Sequence, residues 1–403
     1  MTTPDAAWGL VLKHTRPHAR ISLPLDKALG HCLAETVRAD RDLPPADRSA
    51  MDGYAVRADD LRRRPCVLRV IGEVAAGSPA RPRVRPGQCA RIFTGANVPP
   101  SADTVVLVEQ TTESDGYVTI RSSARRGANI FQRGEDCRRG AALLKPGTLI
   151  GSTETGVCAA VGKAELRVHR QPRVALLCTG AELRAVGDRV APHELRNSNG
   201  PALVAALAQW GFVSASQRQV ADREAALRTA LRRALESHDV VLFTGGMSVG
   251  KYDFVRAALE AEGATVRFHG LAMKPAKPTL YATIGVSQHV FGLPGNPLSA
   301  MTACHEFALP ALRRLAGCAP ARCRPVLRLP LAAPLRTKPG RVRCVLARIS
   351  WDAEGSRAHP VESRSSADLV SAGCADGVII VPADAANLAA GSLVTFRPWR
   401  PLP

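Results

Sequence analysis

Between residues 173 and 317 two hydrophobic patterns alternate: short unbroken apolar runs, and longer stretches in which apolar residues recur every three or four positions. Residues 173–178 (RVALLC) and 239–243 (DVVLF) have the unbroken form expected of strands buried on both faces. Leu203, Leu207 and Trp210 fall on one face of a predicted helix that Asn199 can cap and Gly211 ends. Leu227, Leu231 and Leu235 recur on the face of a second helix, for which Asp222 is a candidate cap. A third helix is predicted from about 253 to 262, closed by Gly263; extended segments reach Met273 and Phe291, and a last helix begins near Pro297. Strands alternating with helices predict right-handed crossovers and a mostly parallel sheet whose ligand loops lie at its carboxyl edge.

The flanks are patterned differently. Residues 43–136 are rich in Gly and Pro, with short β-like pieces such as Arg91-Ile92-Phe93. After about Cys318 come short apolar strands at 326–331, 342–349, 377–381 and 393–396, which predict a small β-barrel or sandwich. The segments around 21–42 and 137–170 mix short helix and strand and predict a connector. A chain of 403 residues exceeds the ~250 at which a single core stops growing. The expected division is therefore a connector (1–42 with 137–170), a β-rich domain (43–136), an α/β domain (171–317) and a C-terminal β domain (318–403).

Composition narrows the chemistry. A hydrophobic content of 46% with 22% charged residues is that of a folded protein, and no apolar run reaches the ~18 residues of a membrane span. Residues 1–12 include Asp5 and lack a basic segment before an apolar one, so a cytoplasmic protein without a secretory signal is expected. The eleven cysteines are scattered singly; Cys318 and Cys323 are the closest two and no CxxC occurs, which argues against a zinc or redox motif and for small buried hydrophobes. Lys and Arg total 54 against 35 acids, a net charge of +19. The basic residues are spread along the chain and aromatics are only 4%, which disfavours nucleic-acid binding and leaves a surface that attracts small polyanions, or one that is simply solvated. Arginine dominates: only eight lysines occur, and two of them, Lys274 and Lys277, share one pentapeptide.

Several loops carry candidate chemistry. Thr244-Gly245-Gly246-Met247-Ser248-Val249-Gly250 joins a predicted buried strand to a helix, so Gly245, Gly246 and Gly250 allow close backbone approach while Ser248 adds a hydroxyl. The loop suits a phosphate or pterin phosphate, and equally an ordinary strand-to-helix turn. Asp253, just beyond, is a candidate Mg²⁺ ligand or a helix N-cap. Met273-Lys274-Pro275-Ala276-Lys277-Pro278 holds two ammonium groups on a proline-stiffened loop, an arrangement best tolerated with an anion between them. Pro294, Gly295, Asn296 and Ser299 form a rigid turn into a helix, and Thr179, Gly180 and Glu182 a further strand-end loop. Asp52, Thr94, Arg133 and Asp136 lie in glycine-bearing loops of the β-rich segment.

Taken in order, SAMDGYA, GEVAAG, RIFTGA, RGED, TGAEL, TGGMSVG, MKPAKP, GLPGNPLS and the later SSADLVSA closely resemble the MoeA/gephyrin E-domain family of molybdopterin molybdenumtransferases. The resemblance implies a multidomain α/β plus β-rich fold: a MogA-like, three-layer α/β pterin-binding domain, a β-rich second domain, a connector and a C-terminal β-barrel. It implies a homodimer whose active site combines the α/β domain of one subunit with the second domain of the other. The implied reaction is Mg²⁺-dependent transfer of molybdenum from molybdate to adenylylated molybdopterin, with release of AMP; a MogA-type adenylyltransferase and molybdoenzymes are the implied partners. By position Asp253, with Mg²⁺, and Glu182 resemble the acidic active-site residues. Lys274, Lys277, Ser299 and Ser366 resemble the molybdate and phosphate ligands. Asp52, Thr94, Arg133 and Asp136 match the second-domain motifs, and Asp222 matches a further acidic position as well as a helix cap.

The chain also departs from the family pattern. Ala181 replaces the first acid of TGDEL, Phe131-Gln132-Arg133 replaces an arginine-rich run, Ala276 replaces the glycine of KPGKP, and Asn197 stands where an acid is usual. Leu346 occupies the position of an arginine expected to contact molybdate, for which Arg343 or Arg348 is a substitute. Such changes also suit a paralogue of weakened chemistry that serves as a cofactor-binding scaffold or carrier.

Overall fold

The computed structural model describes residues 1–79, 82–213, 215–246, 254–353 and 355–401. The chain forms two compact units: Met1–Ala34 with Pro146–Gly151 and Glu165–Pro403, and Glu35–Lys145 with Ser152–Ala164. The expected connector is thus divided between them. Arg20–Pro24 pairs antiparallel with Glu165–His169 in the first unit, whereas Val37–Arg38 pairs with Ala142–Leu144 in the second. Among the described residues no helix is long and apolar enough to cross a membrane.

The α/β part of the first unit has strands β1 (Val174–Thr179), β2 (Ser216–Val220), β3 (Val240–Thr244), β4 (Thr265–His269), β5 (Leu280–Ile284) and β6 (Gln288–Leu293). Its helices are α1 (Asn199–Gln209), α2 (Glu224–Ser237), α3 (Phe254–Ala261), α4 (Pro297–Ala303) and, after a π-helical turn at Cys304–Ala308, α5 (Leu309–Leu315). The six strands lie in the order β2-β1-β3-β6-β5-β4. The first four are parallel, and β5 runs antiparallel to both of its neighbours.

The unbroken apolar runs divide between two cores with a period of two. Val174, Leu176 and Cys178 face α1 and the helices that follow β6, while Ala175 and Leu177 face α2 and α3. In β3, Val240 and Leu242 join the first core and Val241 and Phe243 the second, so the domain has three layers. Leu227 and Leu231 anchor α2 at 0% exposure, each contributing about 1.5–3 kcal/mol by burial. Trp210 stands just past the end of α1 and packs half-buried on the same core as Leu203 and Leu207, its indole N–H donating to the Trp399 carbonyl at 3.2 Å.

In the C-terminal part, Gly355–Pro360, Val342–Asp352, Gly377–Val381, Leu393–Pro398 and Leu327–Pro330 follow one another across a sheet. A parallel bridge between Leu331 and Ala358 joins its two edges and closes it into a barrel around Ile379, Val381 and Phe396. Met273–Lys274 adds to this sheet in parallel with Val342–Arg343, outside the α/β sheet. The second unit is built on a six-stranded mixed sheet in the order Thr104–Leu107, Gly53–Val56, Gln88–Ile92, Cys66–Val74, Tyr117–Ile120 and Thr111–Ser114.

Candidate functional site

The carboxyl ends of β1, β3 and β6 open into one cleft of about 500 Å³. Thr179, Gly180 and Glu182 come from the end of β1, Thr244, Gly245 and Gly246 from β3, and Pro294, Gly295 and Asn296 from β6. Arg196, Asn197, Ser198, Asn199 and Asp222 add to its polar lining. Eight residues expected at the site from sequence are thereby brought together: Thr179, Gly180, Glu182, Gly245, Gly246, Pro294, Gly295 and Asn296. Ser248, Gly250 and Asp253 lie outside the described residues.

Gly245 is required by two independent constraints. Its φ is +95°, and a Cβ there would stand 1.9 Å from the Thr179 carbonyl oxygen. A Cβ on Gly295 would reach 3.6 Å from the Gly245 Cα, so three strand ends approach one another without side chains between them.

Two polar side chains do different work from the expected helix capping. Asn199 lies inside α1, and its amide donates to Thr244 Oγ1 at 2.8 Å and to the Gly295 carbonyl at 2.7 Å. The local N–H of Gly200 is instead satisfied by Asn197 Oδ1 at 3.0 Å. The Asn199 Oδ1 is buried without a partner. Asp222 does not cap α2, which Arg223 precedes without any side-chain cap; its Oδ1 accepts from Thr179 Oγ1 at 3.2 Å.

The lysine loop is held at both ends. Leu271 N–H donates to the Lys277 carbonyl at 2.8 Å, and Lys274 stands in register with Arg343 on the barrel edge. Lys274 and Lys277 are exposed, and neither lines the cleft, although Pro278 does. Ala276 is buried with a φ of +75°, the conformation that the usual glycine would adopt freely. Ser299 is 3% exposed: its hydroxyl accepts from Ala276 N–H at 3.3 Å, and its own N–H donates to the Ser366 carbonyl at 3.2 Å. Ser366 Oγ in turn accepts from the Asn296 amide at 2.8 Å, so the start of α4 is tied to both the lysine loop and the serine loop. Leu346 is buried in the core at 1% exposure, and Arg343 Nε donates to the Lys338 carbonyl at 2.8 Å.

In the second unit, Thr94 donates both its backbone N–H and its hydroxyl to Asp52 Oδ1, each at 2.7 Å, and these bonds hold the Asp52 carboxyl below the usual carboxylate range. Arg133 donates its N–H to Asp47 and its Nε to Asp42, both at 2.8 Å. The Arg139 N–H, followed by the Arg133 guanidinium, lowers the Asp42 carboxyl. Asp136 is exposed in the same loop, its N–H donating to the Leu43 carbonyl at 2.9 Å.

Three family profiles tile the chain: the MoeA N-terminal region (domains I and II) over residues 2–162, a probable molybdopterin-binding domain over 182–314, and the MoeA C-terminal region (domain IV) over 328–399. A molybdopterin molybdenumtransferase of Staphylococcus epidermidis is 32% identical over 379 residues, 93% of this chain and 90% of its own length. One from Staphylococcus aureus is 36% identical over 302 residues, 74% of this chain and 72% of its own. The solved molybdopterin biosynthesis MoeA protein of Pyrococcus horikoshii superposes with a TM-score of 0.84 at 25% identity, covering 99% of this chain and 100% of that one.

Proposed function

The chain belongs to the MoeA family of molybdopterin molybdenumtransferases, and from that premise we propose that the cleft at the ends of β1, β3 and β6 is where it places molybdenum on molybdopterin. The observation that carries this reading is the convergence of three glycine-bearing strand ends on one polar cleft. Backbone N–H groups at such turns suit a phosphate. The finer proposal is that the substrates are adenylylated molybdopterin and molybdate and that AMP is the leaving product.

The carboxylates of Asp222 and Glu182 on the cleft are hard oxygen donors of the kind magnesium takes, and Asp253 follows in sequence. Mg²⁺ would be held by Asp253 with Asp222 or Glu182, and would supply charge neutralisation of the phosphates. Glu182 and Asp222 orient the nucleotide-bearing end, and Asp222 fixes the Thr179 hydroxyl beside it. Lys274, Lys277 and Arg343, outside the cleft lining but joined to it through Pro278, are the cations we assign to molybdate. Lys274 and Arg343 sit side by side in register, and two such neighbours are stabilised by an anion between them. Ser299 holds the lysine loop, and Ser366 holds Asn296. The enzyme is proposed to act as a homodimer in which Asp52, Thr94, Arg133 and Asp136 are contributed by the partner.

The test is direct. Purified protein given adenylylated molybdopterin, Mg²⁺ and molybdate is expected to release AMP and yield cofactor that reconstitutes a molybdoenzyme, and Asp222→Asn is expected to slow release at least tenfold. Tight pterin binding with no AMP release from authentic substrate would refute the assignment.

A further inference from the structure

The scattered cysteines conceal a contact that the fold creates. Cys32 and Cys318 stand 286 positions apart in the chain, yet their sulfurs are 2.9 Å apart. They are 1% and 5% exposed, in a small cluster with the buried Cys323. Both backbones are anchored: the Cys32 carbonyl accepts from His169 N–H at 3.0 Å, and Cys318 N–H donates to the Arg313 carbonyl at 3.0 Å. The turn before Cys318 comes so close that a Cβ on Gly317 would lie 2.3 Å from the His169 ring. We propose that Cys32 and Cys318 are a peroxide-responsive thiol pair that closes to a disulfide and tethers the N-terminal segment to the turn entering the C-terminal barrel.

The sulfurs are within about 1 Å of the ~2.05 Å of a formed bond, so closure needs only a small local shift. The two thiols are not equivalent. The hydrogen bond shared with Cys32 and the Arg313 guanidinium hold Cys318 below the ordinary thiol range, whereas the same bond and burial raise Cys32. Cys318 is therefore the attacking sulfur. The oxidant is hydrogen peroxide, small enough for a buried site. The Cys318 thiolate attacks one peroxide oxygen, the O–O bond breaks, and hydroxide leaves, which gives a sulfenic acid. Cys32 then attacks that sulfur, the S–O bond breaks, and the hydroxyl leaves with the Cys32 proton as water. Across both steps two thiols and one peroxide yield one disulfide and two waters. In a reducing compartment such a bond is transient and is reopened by thiols.

The experiment uses the full-length reduced protein, exposed to hydrogen peroxide, then denatured, alkylated and mapped by mass spectrometry. The expected result is a loss of two of the eleven titratable thiols, a peptide joining Cys32 to Cys318, and full reversal by dithiothreitol. Cys32→Ser should instead leave a sulfenic acid at Cys318 that dimedone traps, and Cys323→Ser should leave the link intact. The idea is overturned if all eleven thiols still titrate, if oxidation falls on the exposed Cys374 while Cys32 and Cys318 remain alkylated, or if Cys323 is the linked partner. Mapping of the wild-type chain decides the matter alone if Cys32→Ser does not fold.

Discussion

Gly245→Ala tests the geometry of the cleft most sharply. The substitution asks alanine to hold a φ of +95°, which costs about 1–2 kcal/mol in the left-handed region. It also sets a methyl group 1.9 Å from the Thr179 carbonyl oxygen and 3.0 Å from its carbon, backbone atoms at the end of β1 that cannot rotate away. The ends of β1 and β3 must then part, and overpacking of this kind adds about 1–3 kcal/mol. The expected cost is about 2–5 kcal/mol, a large part of an ordinary folding free energy. Gly263→Ala is the matched control: its φ is +72° in the same unit, with nothing within 4 Å of the added Cβ, so it should cost only about 1–2 kcal/mol. Urea unfolding of both variants separates the clash from the conformational cost, and AMP release should fall at least tenfold in Gly245→Ala while Gly263→Ala stays near wild type. Equal destabilisation in the two variants, or full activity in Gly245→Ala, would show that the three strand ends do not approach as described.

Ala276→Gly should change stability by less than about 1 kcal/mol, because relief of the φ of +75° is offset by loss of a buried methyl; the unfolding midpoint checks it. Asn199→Ala removes two hydrogen bonds but also an unmatched buried acceptor, so it should destabilise the free protein by about 0–2 kcal/mol and raise the KM for the pterin substrate more than it lowers kcat. An unchanged KM would remove Asn199 from substrate binding. Burial opposes ionisation of Asp239, but the two-bond Arg170 pair and the Arg173 N–H outweigh it and bring the carboxyl down to about 2. Its folded value is depressed, so its stabilisation is complete above the unfolded value of about 3.9 and is lost as pH falls toward 2. Asp239→Asn should flatten that acid limb and cost about 1–2 kcal/mol at neutral pH after allowance for screening, as read from urea midpoints at pH 7 and pH 3.

The central strands were legible because burial on both faces leaves them uniformly apolar, and the two long runs at 173–178 and 239–243 are β1 and β3 with little shift. Edge strands carry no such signal. Ser216–Val220 reads SQRQV with four of five residues exposed, and Gly355–Pro360 reads GSRAHP, so neither shows an apolar run. The loops of the cleft could be recognised from their glycines, but which asparagine caps α1 could not. Asn197 and Asn199 are equivalent to a local capping rule, and a tertiary contact with Thr244 and Gly295 decides between them. The fate of Asp222 turned on the same kind of distant partner, the Thr179 hydroxyl. The lysine loop was expected among the α/β loops because it falls between two of that sheet's strands in sequence, yet Met273–Lys274 pairs with the barrel, a choice that depends on residues about 70 positions away.

That pairing makes the barrel something other than an appendage. Its strand Val342–Asp352 serves as the template on which Met273 and Lys274 are laid, while Ser299 and Ala276 secure the far side of the same loop. A chain shortened to its α/β portion would keep the glycine turns but set the lysines adrift, so the parts of the protein that hold the turns and the lysine loop cannot be separated by trimming at a domain border.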